Sequence, residues 1–308
     1  MIRSCRALLE DFRQKSPVIK GKKLSFSGVE GEDVYNISKA FADEGRTVIA
    51  GRVERRGSEV SRVCFFERTG EAEYALLADA PQLAQVQDPF VTTLGEELVV
   101  GGTHIDLDPL DPERIINWRT IFFKGPSVRR LAFWGTGPDR MKDVRLLSLG
   151  DKILFFTRPQ GKKGGLGRIG RTVLPAGWID ADELREAPVF DTFLPDEWGG
   201  ANDLHLLKNG KVGVLGHISF KDEAGLHYHA MAFCYDPASD SCTLPRIICT
   251  RGDLPAGPAK RPDLADVLFS GGLVRLGGGR AELYCGGGDC EGFRALLEDP
   301  FDEYEDQP

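Results

Sequence analysis

The chain has 308 residues, of which 41% are hydrophobic and 28% charged, and its formal net charge is −8 at pH 7. This composition is typical of a soluble globular protein, and the acidic balance argues against a general nucleic-acid binder, which carries a basic surplus. No apolar run approaches the roughly 20 residues of a membrane-spanning helix, and the N-terminus has no apolar signal core. We therefore expect a cytoplasmic protein with neither a nucleic-acid nor a membrane partner.

The seven cysteines are odd in number and form no Cys-x-x-Cys pair, and the five histidines form no Cys/His array. This spacing predicts neither a disulfide framework nor a metal site. Four cysteines lie in apolar, strand-like runs, as small reduced core residues do. They are Cys64, Cys234, Cys249 and Cys285.

Helical periodicity is confined to residues 6–13 and, more weakly, 180–186. Elsewhere short apolar runs alternate with turns, and 37 glycines suit a turn-dense β protein. One hairpin pattern returns five times: a short apolar strand, a polar turn with glycine, then a run of apolar or β-branched residues. In chain order its copies are residues 40–52, 90–102, 145–158, 205–217 and 273–287.

The copies start about 50 to 70 residues apart, near the length of one propeller blade, and further strand-like runs such as 63–66 and 229–233 follow several of them. This repetition predicts an all-β fold, a five-bladed β-propeller, as a single domain over residues 1–308. Residues 1–20 form an N-terminal segment, and the acidic residues 298–308 are predicted to be a frayed, solvated tail. A β-sandwich is the alternative, but it would not predict the regular return of one hairpin.

Polar residues mark the margins of these hairpins, where a propeller lines its central funnel. The hairpin ends carry Arg52, His104, Arg158, His217 and Asp289, and the residues before the hairpins include Asn36, Asp88, Lys142 and Asp143. Several of these residue types are poor choices for packing, so the sequence predicts a polar, anion-binding pocket. Asp88 precedes Pro89, and an Asp-Pro pair is also ordinary turn composition.

Six segments around these margins resemble, in order, the mannosyltransferase/phosphorylase (mannogen-type) family, glycosyltransferase family 108, and the related β-mannoside phosphorylases of glycoside hydrolase family 130. They are VYNISKAF (34–41), AGRVERRGSEVS (50–61), QDPF (87–90), MKDVRLLSLGDKILFFTRP (141–159), NGKVGVLGHISF (209–220) and LYCGGGD (283–289). The chain departs from these families at four positions. Gln87 and Phe90 replace a Glu and an Arg, Asp143 replaces an Asn, and Trp198 falls near a phosphate-binding lysine.

The resemblance implies an inverting enzyme that moves mannose between the ends of β-1,2-mannan (mannogen) and phosphate or GDP. Asp88 would be the single general acid, protonating the interglycosidic oxygen through a hydroxyl of the bound mannose. The implied phosphate-binding residues are Lys142, Arg158, His217 and Tyr228. The implied sugar-binding residues are Asn36, Arg52, His104, Asp143 and Asp289. No metal or cofactor is implied, and the expected partners are mannose-1-phosphate, GDP-mannose and β-1,2-mannooligosaccharides.

Two other functions are compatible with the same fold. An inverting hydrolase needs a second carboxylate to activate water, and the candidates for that role are Asp143 and Asp139; a phosphorylase can omit it, because phosphate is already an anionic nucleophile. A propeller that binds glycans or proteins without chemistry is favoured by Phe90 and Trp198, which stand at otherwise polar family positions.

The glycines Gly165, Gly167 and Gly170 match the spacing of a dinucleotide-binding fingerprint. That motif requires a strand before it and a helix after it. Here a glycine-rich stretch precedes it and a strand-like run follows, so we do not expect a nicotinamide site. The basic residues around it would either close over phosphate or form a solvated connection.

Overall fold

The computed structural model describes residues 2–177 and 179–305. Its strands are β1 (Lys20–Lys23), β2 (Ser25–Ser27), β3 (Asp33–Tyr35), β4 (Phe41–Asp43), β5 (Arg46–Glu54), β6 (Ser61–Arg68), β7 (Glu73–Leu76), β8 (Leu83–Ala84), β9 (Val86–Leu94), β10 (Glu97–Asp108), β11 (Asp111–Gly125), β12 (Ala132–Thr136), β13 (Arg145–Leu149), β14 (Lys152–Thr157), β15 (Gly170–Pro175), β16 (Trp198–Leu206), β17 (Val212–Asp222), β18 (Gly225–Asp236), β19 (Ser241–Cys242), β20 (Arg246–Cys249), β21 (Asp266–Gly277), β22 (Arg280–Gly287) and β23 (Glu291–Glu298). Its helices are α1 (Cys5–Lys15), α2 (Gly161–Gly164), α3 (Ala181–Glu186) and α4 (Asp302–Glu305), with 3₁₀ turns at Val128–Arg130, Arg251–Asp253 and Pro262–Leu264. The fold is all-β, and α1 and α3 lie where the sequence predicted helical periodicity.

Each of the five predicted hairpins is an antiparallel strand pair. The pairs are β4–β5, β9–β10, β13–β14, β16–β17 and β21–β22, followed by a third antiparallel strand: β6, β11, β15, β18 and β23. Glycine turns set the registers. In the turn of β9–β10, Gly95 has a φ of 60°, which glycine adopts without strain, and Glu97 faces Leu94.

The hairpins follow one another around a common centre. β9 contacts β5 and β13, β13 contacts β16, and β16 contacts β21. β3 contacts β22 and β23, which brings the last hairpin back to the first. Lys39, directly before the first hairpin, also reaches β16 of the fourth, where its Nζ lies 2.8 Å from Asp203 Oδ1. The arrangement of sheets is therefore nearly closed.

The N-terminal segment joins this arrangement at its seam. β1 pairs antiparallel with β23, so that Lys20 faces Leu296, and β2 pairs parallel with β7 of the first sheet. Helix α1 is capped by Ser4, whose side chain accepts a hydrogen bond from the Ala7 amide and so satisfies one free helix N–H. Its apolar face buries Phe12 in the core around β17 and β18.

A repeated irregularity bends the innermost strands. In β9, Asp88 and Pro89 together face one residue of β10, and similar register shifts occur in β16 at Asn202 and in β21. Such bulges bend a strand and re-aim a side chain. Asn36, Asp88 and Asp143 have φ values of 44°, 49° and 59°, in the left-handed region that Asn and Asp tolerate better than most residues.

The C-terminal segment is packed where the sequence predicted a frayed tail. Phe301 and Tyr304 are buried in the core of the last hairpin. Arg275 binds three carboxylates of the segment at 2.6, 2.7 and 2.9 Å. The expectation is wrong for residues 298–305, because two aromatic side chains and a shared cation outweigh the acidic composition. Residues 306–308 lie outside the described part of the chain.

All seven cysteines are free. The four placed in strands by the sequence are buried, with at most 3% of each exposed, as predicted for reduced core residues. Within the described residues, no helix has the length and apolar character needed to cross a membrane.

Candidate active site

One polar cavity of about 240 Å³ gathers eight of the ten predicted site residues. They are Asn36, Arg52, Asp88, Lys142, Arg158, His217, Tyr228 and Asp289. They belong to the margins of different hairpins, so the cavity exists only where the hairpins converge. A larger hollow of about 700 Å³ lies between α1 and the end of the last sheet, but none of the predicted residues lines it.

Asp88 is held by two donors that bind the same carboxyl oxygen. Asn36 Nδ2 donates to Asp88 Oδ1 at 2.8 Å, and Arg52 Nη1 donates to Oδ1 at 3.2 Å. No described residue hydrogen-bonds Asp88 Oδ2. A proton on this carboxyl group therefore resides on Oδ2, the oxygen that remains free for a ligand.

Arg52 is fixed in turn by carboxylates on its far side. Its Nε and Nη2 donate to Glu54 Oε2 at 3.0 and 2.8 Å, and Nη2 also donates to Glu59 Oε2 at 3.1 Å. Lys260 bridges the same two glutamates. Charge-assisted bonds of this kind hold a guanidinium in one orientation, so Nη1 remains directed at Asp88.

Arg158 and Lys142 form a cationic wall of the cavity. Arg158 Nη1 donates to Asp143 Oδ2 at 3.1 Å, and its Nε donates to the Gly199 carbonyl oxygen at 2.9 Å. Burial raises the pKa of Asp143, but Arg158, Lys142 and Arg145 outweigh this effect and lower the pKa to about 2. Asp143 is therefore a buried carboxylate that orients Arg158.

Two glycines leave room for Arg158. A Cβ on Gly167 would lie 2.8 Å from Arg158 Nε, and a Cβ on Gly200 would lie 2.9 Å from Arg158 Cδ. Gly167 also has a φ of 144°, which side chains rarely permit. The glycine-rich segment follows the short helix α2 and leads into β15. The glycines of this segment therefore allow its backbone to lie close to Arg158. They do not form the strand–turn–helix of a dinucleotide site.

His217 and Tyr228 line the cavity from β17 and β18. Their rings are stacked, with centroids 5.6 Å apart and an interplanar angle of 17°. His217 Nδ1 lies 2.8 Å from the Asn202 side-chain amide, and Trp198 Nε1 donates to the Tyr228 hydroxyl at 2.9 Å. Burial and the adjacent Arg158 lower the pKa of His217 to about 3, so the ring is neutral at pH 7. Trp198, near the position of a family lysine, supports Tyr228 and brings no charge.

Asp289 supplies a further carboxyl group to the cavity. Burial raises its pKa to about 6, with Arg52 opposing the shift and Asp88 adding to it. The group is therefore mixed between its neutral and charged forms close to neutral pH. A carboxyl group in this condition can both accept and donate hydrogen bonds to sugar hydroxyls.

Two predicted sugar ligands, His104 and Asp143, are not among the residues that line the cavity. His104 Nδ1 is 3.4 Å from Asp106 Oδ1, and both lie near Arg119, with His104 in a separate surface hollow. Side chains alternate between the faces of a strand, and the position of His104 at the end of a hairpin does not by itself decide which face of β10 carries it. Asp143 is 1% exposed and sits behind Arg158.

Asp139, one of the two candidate bases for a hydrolase, also lies away from the cavity. Its side chain is 60% exposed and bound to Arg119, and it accepts a hydrogen bond from Asn117 at 2.9 Å. Neither Asp139 nor the buried Asp143 is among the residues that line the cavity.

The sequence did not single out Arg145, which is buried beside the site. Its guanidinium carbon lies 4.5 Å from the centroid of the Phe90 ring, and its Nη2 lies 3.5 Å from Asp143 Oδ1. Phe90 stands where the related families carry an arginine. In this chain the guanidinium beside that position comes from Arg145 of the next hairpin. Glu59 and Arg261 line the cavity from loops; Glu59 falls within a segment that carries the resemblance, whereas Arg261 has no such signal.

Comparison with known proteins places this geometry in a family. A family model described as "Protein of unknown function (DUF1861)" matches residues 10–303. A mannose phosphorylase from Leishmania mexicana, solved in complex with phosphate ion, is 34% identical, covers 97% of this chain and 94% of its own, and has a TM-score of 0.90. A GDP-Man-dependent mannosyltransferase from the same organism is 30% identical, with coverages of 97% and 95% and a TM-score of 0.87.

A β-1,2-mannobiose phosphorylase from Listeria innocua shares the fold, at 14% identity, coverages of 90% and 93% and a TM-score of 0.64. No curated protein matches the chain.

Similarity over the full length to two such enzymes defines the class: this is an enzyme, a glycoside phosphorylase or glycosyltransferase. The chain belongs to the mannosyltransferase/phosphorylase family that includes both Leishmania mexicana proteins, and to the DUF1861 family. The predicted family and the predicted enzyme class are thus confirmed, and a propeller without chemistry is not supported.

Proposed function

We propose that the protein is an inverting mannosyl phosphorylase and mannosyltransferase that acts on the ends of β-1,2-mannan (mannogen), with Asp88 as its general acid. The observation that carries this proposal is one cavity in which a firmly held carboxyl group accompanies a set of phosphate donors. We take mannose as the sugar because the two Leishmania mexicana relatives are a mannose phosphorylase and a mannosyltransferase. The β-1,2 linkage rests on the sequence resemblance.

The chemistry requires a single acid. Phosphate attacks the anomeric carbon from the face opposite the leaving sugar, the glycosidic C–O bond breaks, and α-mannose-1-phosphate forms with inversion. The leaving oxygen takes a proton that originates on Asp88 Oδ2 and passes through a hydroxyl of the bound mannose. The charge left on Asp88 is stabilised at Oδ1 by Asn36 and Arg52.

The donors opposite the acid suit an oxyanion. Arg158 offers a planar fork of N–H groups to phosphate oxygens, and Lys142 offers a compact charge. His217 and Tyr228 add neutral donors. Because phosphate is itself the nucleophile, the reaction needs no second carboxylate to activate water.

The same groups serve the reverse reaction. Mannose-1-phosphate then donates mannose to a mannan end, with Asp88 accepting the proton of the attacking hydroxyl. Exchange of phosphate for GDP as the leaving group gives a transferase on the same acid, in keeping with the GDP-Man-dependent relative. The proposed partners are mannose-1-phosphate, GDP-mannose and β-1,2-mannooligosaccharides, with no further cofactor. Asn36, Arg52 and Asp289 are proposed to bind the sugar.

The number of blades and the cellular location of the protein are also proposed. The five hairpins, each with its third strand, are proposed to be the five blades of one β-propeller domain spanning residues 1–308, a proposal supported by the return of the last hairpin to the first strands. A cytoplasmic location is supported by the seven free cysteines, which suit a reducing compartment.

The test is release of mannose-1-phosphate from β-1,2-mannobiose or mannotriose with inorganic phosphate, comparing the wild type with Asp88→Asn. The amide keeps the shape but has no acidic proton, so we expect activity to fall about 10²- to 10⁴-fold with thermal unfolding retained. Asp139→Asn, at an exposed position outside the cavity, is the matched control and should keep its activity. Undiminished turnover by Asp88→Asn would overturn the assignment.

A hydrolase is the second candidate, favoured by one observation. Asp289 is a second carboxyl group in the cavity, with a pKa raised by burial to about 6, and it replaces Asp143 and Asp139 as the candidate base. The same assay decides between the two reactions. Free mannose released without phosphate, and lost in Asp289→Asn, would establish hydrolysis.

A further inference from the structure

His217 can donate a hydrogen bond to bound phosphate only when its ring proton is on Nε2. A neutral imidazole carries one proton, and the partner of the other ring nitrogen decides where it resides. His217 Nδ1 lies 2.8 Å from Oδ1 of Asn202. Asn202 is 1% exposed, stands at the bulge of β16 and does not line the cavity.

A serine hydroxyl reveals which group Asn202 must present. Ser270 Oγ lies 2.8 Å from the Gly216 carbonyl oxygen and 3.2 Å from Asn202 Oδ1. A carbonyl oxygen can only accept, so the single hydroxyl proton of Ser270 is engaged with Gly216. Towards Asn202 the hydroxyl then offers only lone pairs, which require an N–H group opposite them.

The side-chain amide of Asn202 satisfies this requirement when it is flipped, so that its Oδ1 and Nδ2 atoms exchange places. Its NH₂ group then meets two acceptors, Ser270 Oγ and His217 Nδ1. With Oδ1 in that place, the Asn202 Nδ2 group is buried without a partner among the described residues. Flipping the amide puts the carbonyl oxygen in that unpartnered place, and a buried carbonyl without a partner is tolerated more often than a buried N–H without one, so the hydrogen-bonding surroundings select the flipped amide.

We propose that Asn202 is a positioning residue whose NH₂ group donates to His217 Nδ1 and thereby fixes the ring proton on Nε2, for donation to phosphate. The consequence for phosphate rests on the proposed function, whereas the position of the proton does not. With the proton on Nδ1, a bare nitrogen lone pair would face the anion and repel it.

The charges around the ring keep it from gaining a second proton. Arg158, Lys142 and Arg145 disfavour the cationic form, Asp143 favours it, and burial is the largest influence; the pKa of His217 is lowered to about 3. The stacked Tyr228 ring is the other titratable group against the imidazole. Between pH 6 and 8 the position of one proton, and not the ring charge, therefore decides what His217 offers.

Nitrogen-15 NMR of the wild-type protein tests the proposal directly. Long-range ¹H–¹⁵N spectra distinguish the two neutral tautomers, and His217→Gln identifies the resonance by its loss. We expect a neutral ring protonated at Nε2, with an Nε2–H signal that shifts on addition of inorganic phosphate. A ring protonated at Nδ1 would overturn the proposal. An Nε2–H ring that does not respond to phosphate would uphold the tautomer and refute the binding of phosphate by His217.

Asn202→Asp provides the kinetic test. A carboxylate can only accept, so it draws the proton to Nδ1, and Nε2 can donate only if the ring becomes charged. Compared with the wild type at the same pH, we expect KM for phosphate to be at least tenfold higher at pH 8 and to approach the wild-type value towards pH 6. KM for mannobiose should stay within twofold of the wild type. Asn209→Asp, in the turn of the same hairpin, is the matched control. Equal effects on both KM values, or no dependence on pH, would contradict the proposal.

Discussion

Four cavity and near-cavity residues combine charge or amide chemistry with an unusual backbone. Asn36, Asp88, Asp143 and Asp289 have φ values of 44°, 49°, 59° and 52°. A left-handed conformation costs a non-glycine residue about 1–3 kcal/mol unless its surroundings impose it. Here the side chains of Asp88 and Asp143 are each bound to an arginine. The same cations that define the site therefore hold its backbone in place.

The proposed role of Asp289 in sugar binding, together with its raised pKa, predicts that binding depends on pH. As the pH rises through about 6, the carboxyl group ionises and accepts stronger hydrogen bonds from sugar hydroxyls. We expect the Kd for β-1,2-mannobiose, measured by calorimetry in phosphate-free buffer, to fall severalfold between pH 5 and pH 7. In Asp289→Asn this change should disappear. The same change in the variant would assign it to another group.

At the scale of the element, the glycine-rich segment before β15 affects Arg158 through its shape. In Gly167→Ala the new methyl group would lie within 3.1 Å of three guanidinium atoms of Arg158. We expect KM for phosphate to rise at least tenfold, because Arg158 must move, with a smaller effect on KM for mannobiose. Steady-state kinetics with each substrate varied in turn measures both.

The matched control lies in α2, directly before this segment. Gly161 has a φ of 69°, and a Cβ there would have no neighbour within 4 Å. Gly161→Ala should therefore lower stability slightly, because of the backbone conformation, and leave KM for phosphate unchanged. A phosphate defect of equal size in both variants would attribute the effect to the loop in general and not to Arg158.

The hairpins could be predicted from sequence because their signals are local: a glycine turn such as Gly95 between apolar runs specifies a strand pair on its own. The direction in which each side chain points could not be predicted from the sequence. A shift of one residue exchanges the two faces of a strand, and nothing in the sequence shows that His104 of β10 lies in a surface hollow outside the cavity. The resemblance predicted roles for Asp88 and Arg158, both of which line the cavity, but the burial of Asp143 follows only from packing between hairpins.

At the scale of the molecule, a buried ion pair ties distant hairpins together. Lys39 Nζ donates to both Asp203 oxygens, at 2.8 and 3.0 Å, and the Leu273 amide donates to Oδ2 at 3.0 Å. Three hairpins thus share one carboxylate. Removal of one partner from a buried pair leaves an uncompensated charge, which costs about 3–5 kcal/mol.

This tie makes stability depend on acidity. Burial raises the pKa of Asp203, but Lys39 and His205 outweigh it and lower the pKa below its usual range. The contribution is complete above the unfolded-state pKa of about 3.9 and is lost as the pH falls through the lower folded-state value. We expect the free energy of unfolding, from urea titrations, to decline below about pH 4.

Asp203→Asn should be about 3–5 kcal/mol less stable than the wild type at pH 7 and should lose less stability on acidification. Asp182→Asn is the control, because its side chain is 87% exposed in a surface pair and contributes little. An acid-induced decline equally steep in Asp203→Asn would assign it to other carboxylates, of which Asp143 is the next candidate.

The pairing of Lys20 with Leu296 has a consequence for synthesis. A ribosome adds about 5–20 residues each second, so β1 emerges roughly 14 to 55 seconds before β23, its partner, exists. Throughout that interval β1 is an unpaired edge, open to the strands of other nascent chains. Its sequence, Lys-Gly-Lys-Lys, places three positive charges on four positions, and lysine is the side chain that natural edges use to repel such neighbours. The positive charges of β1 thus keep this strand free of other chains until β23 is made and can pair with it.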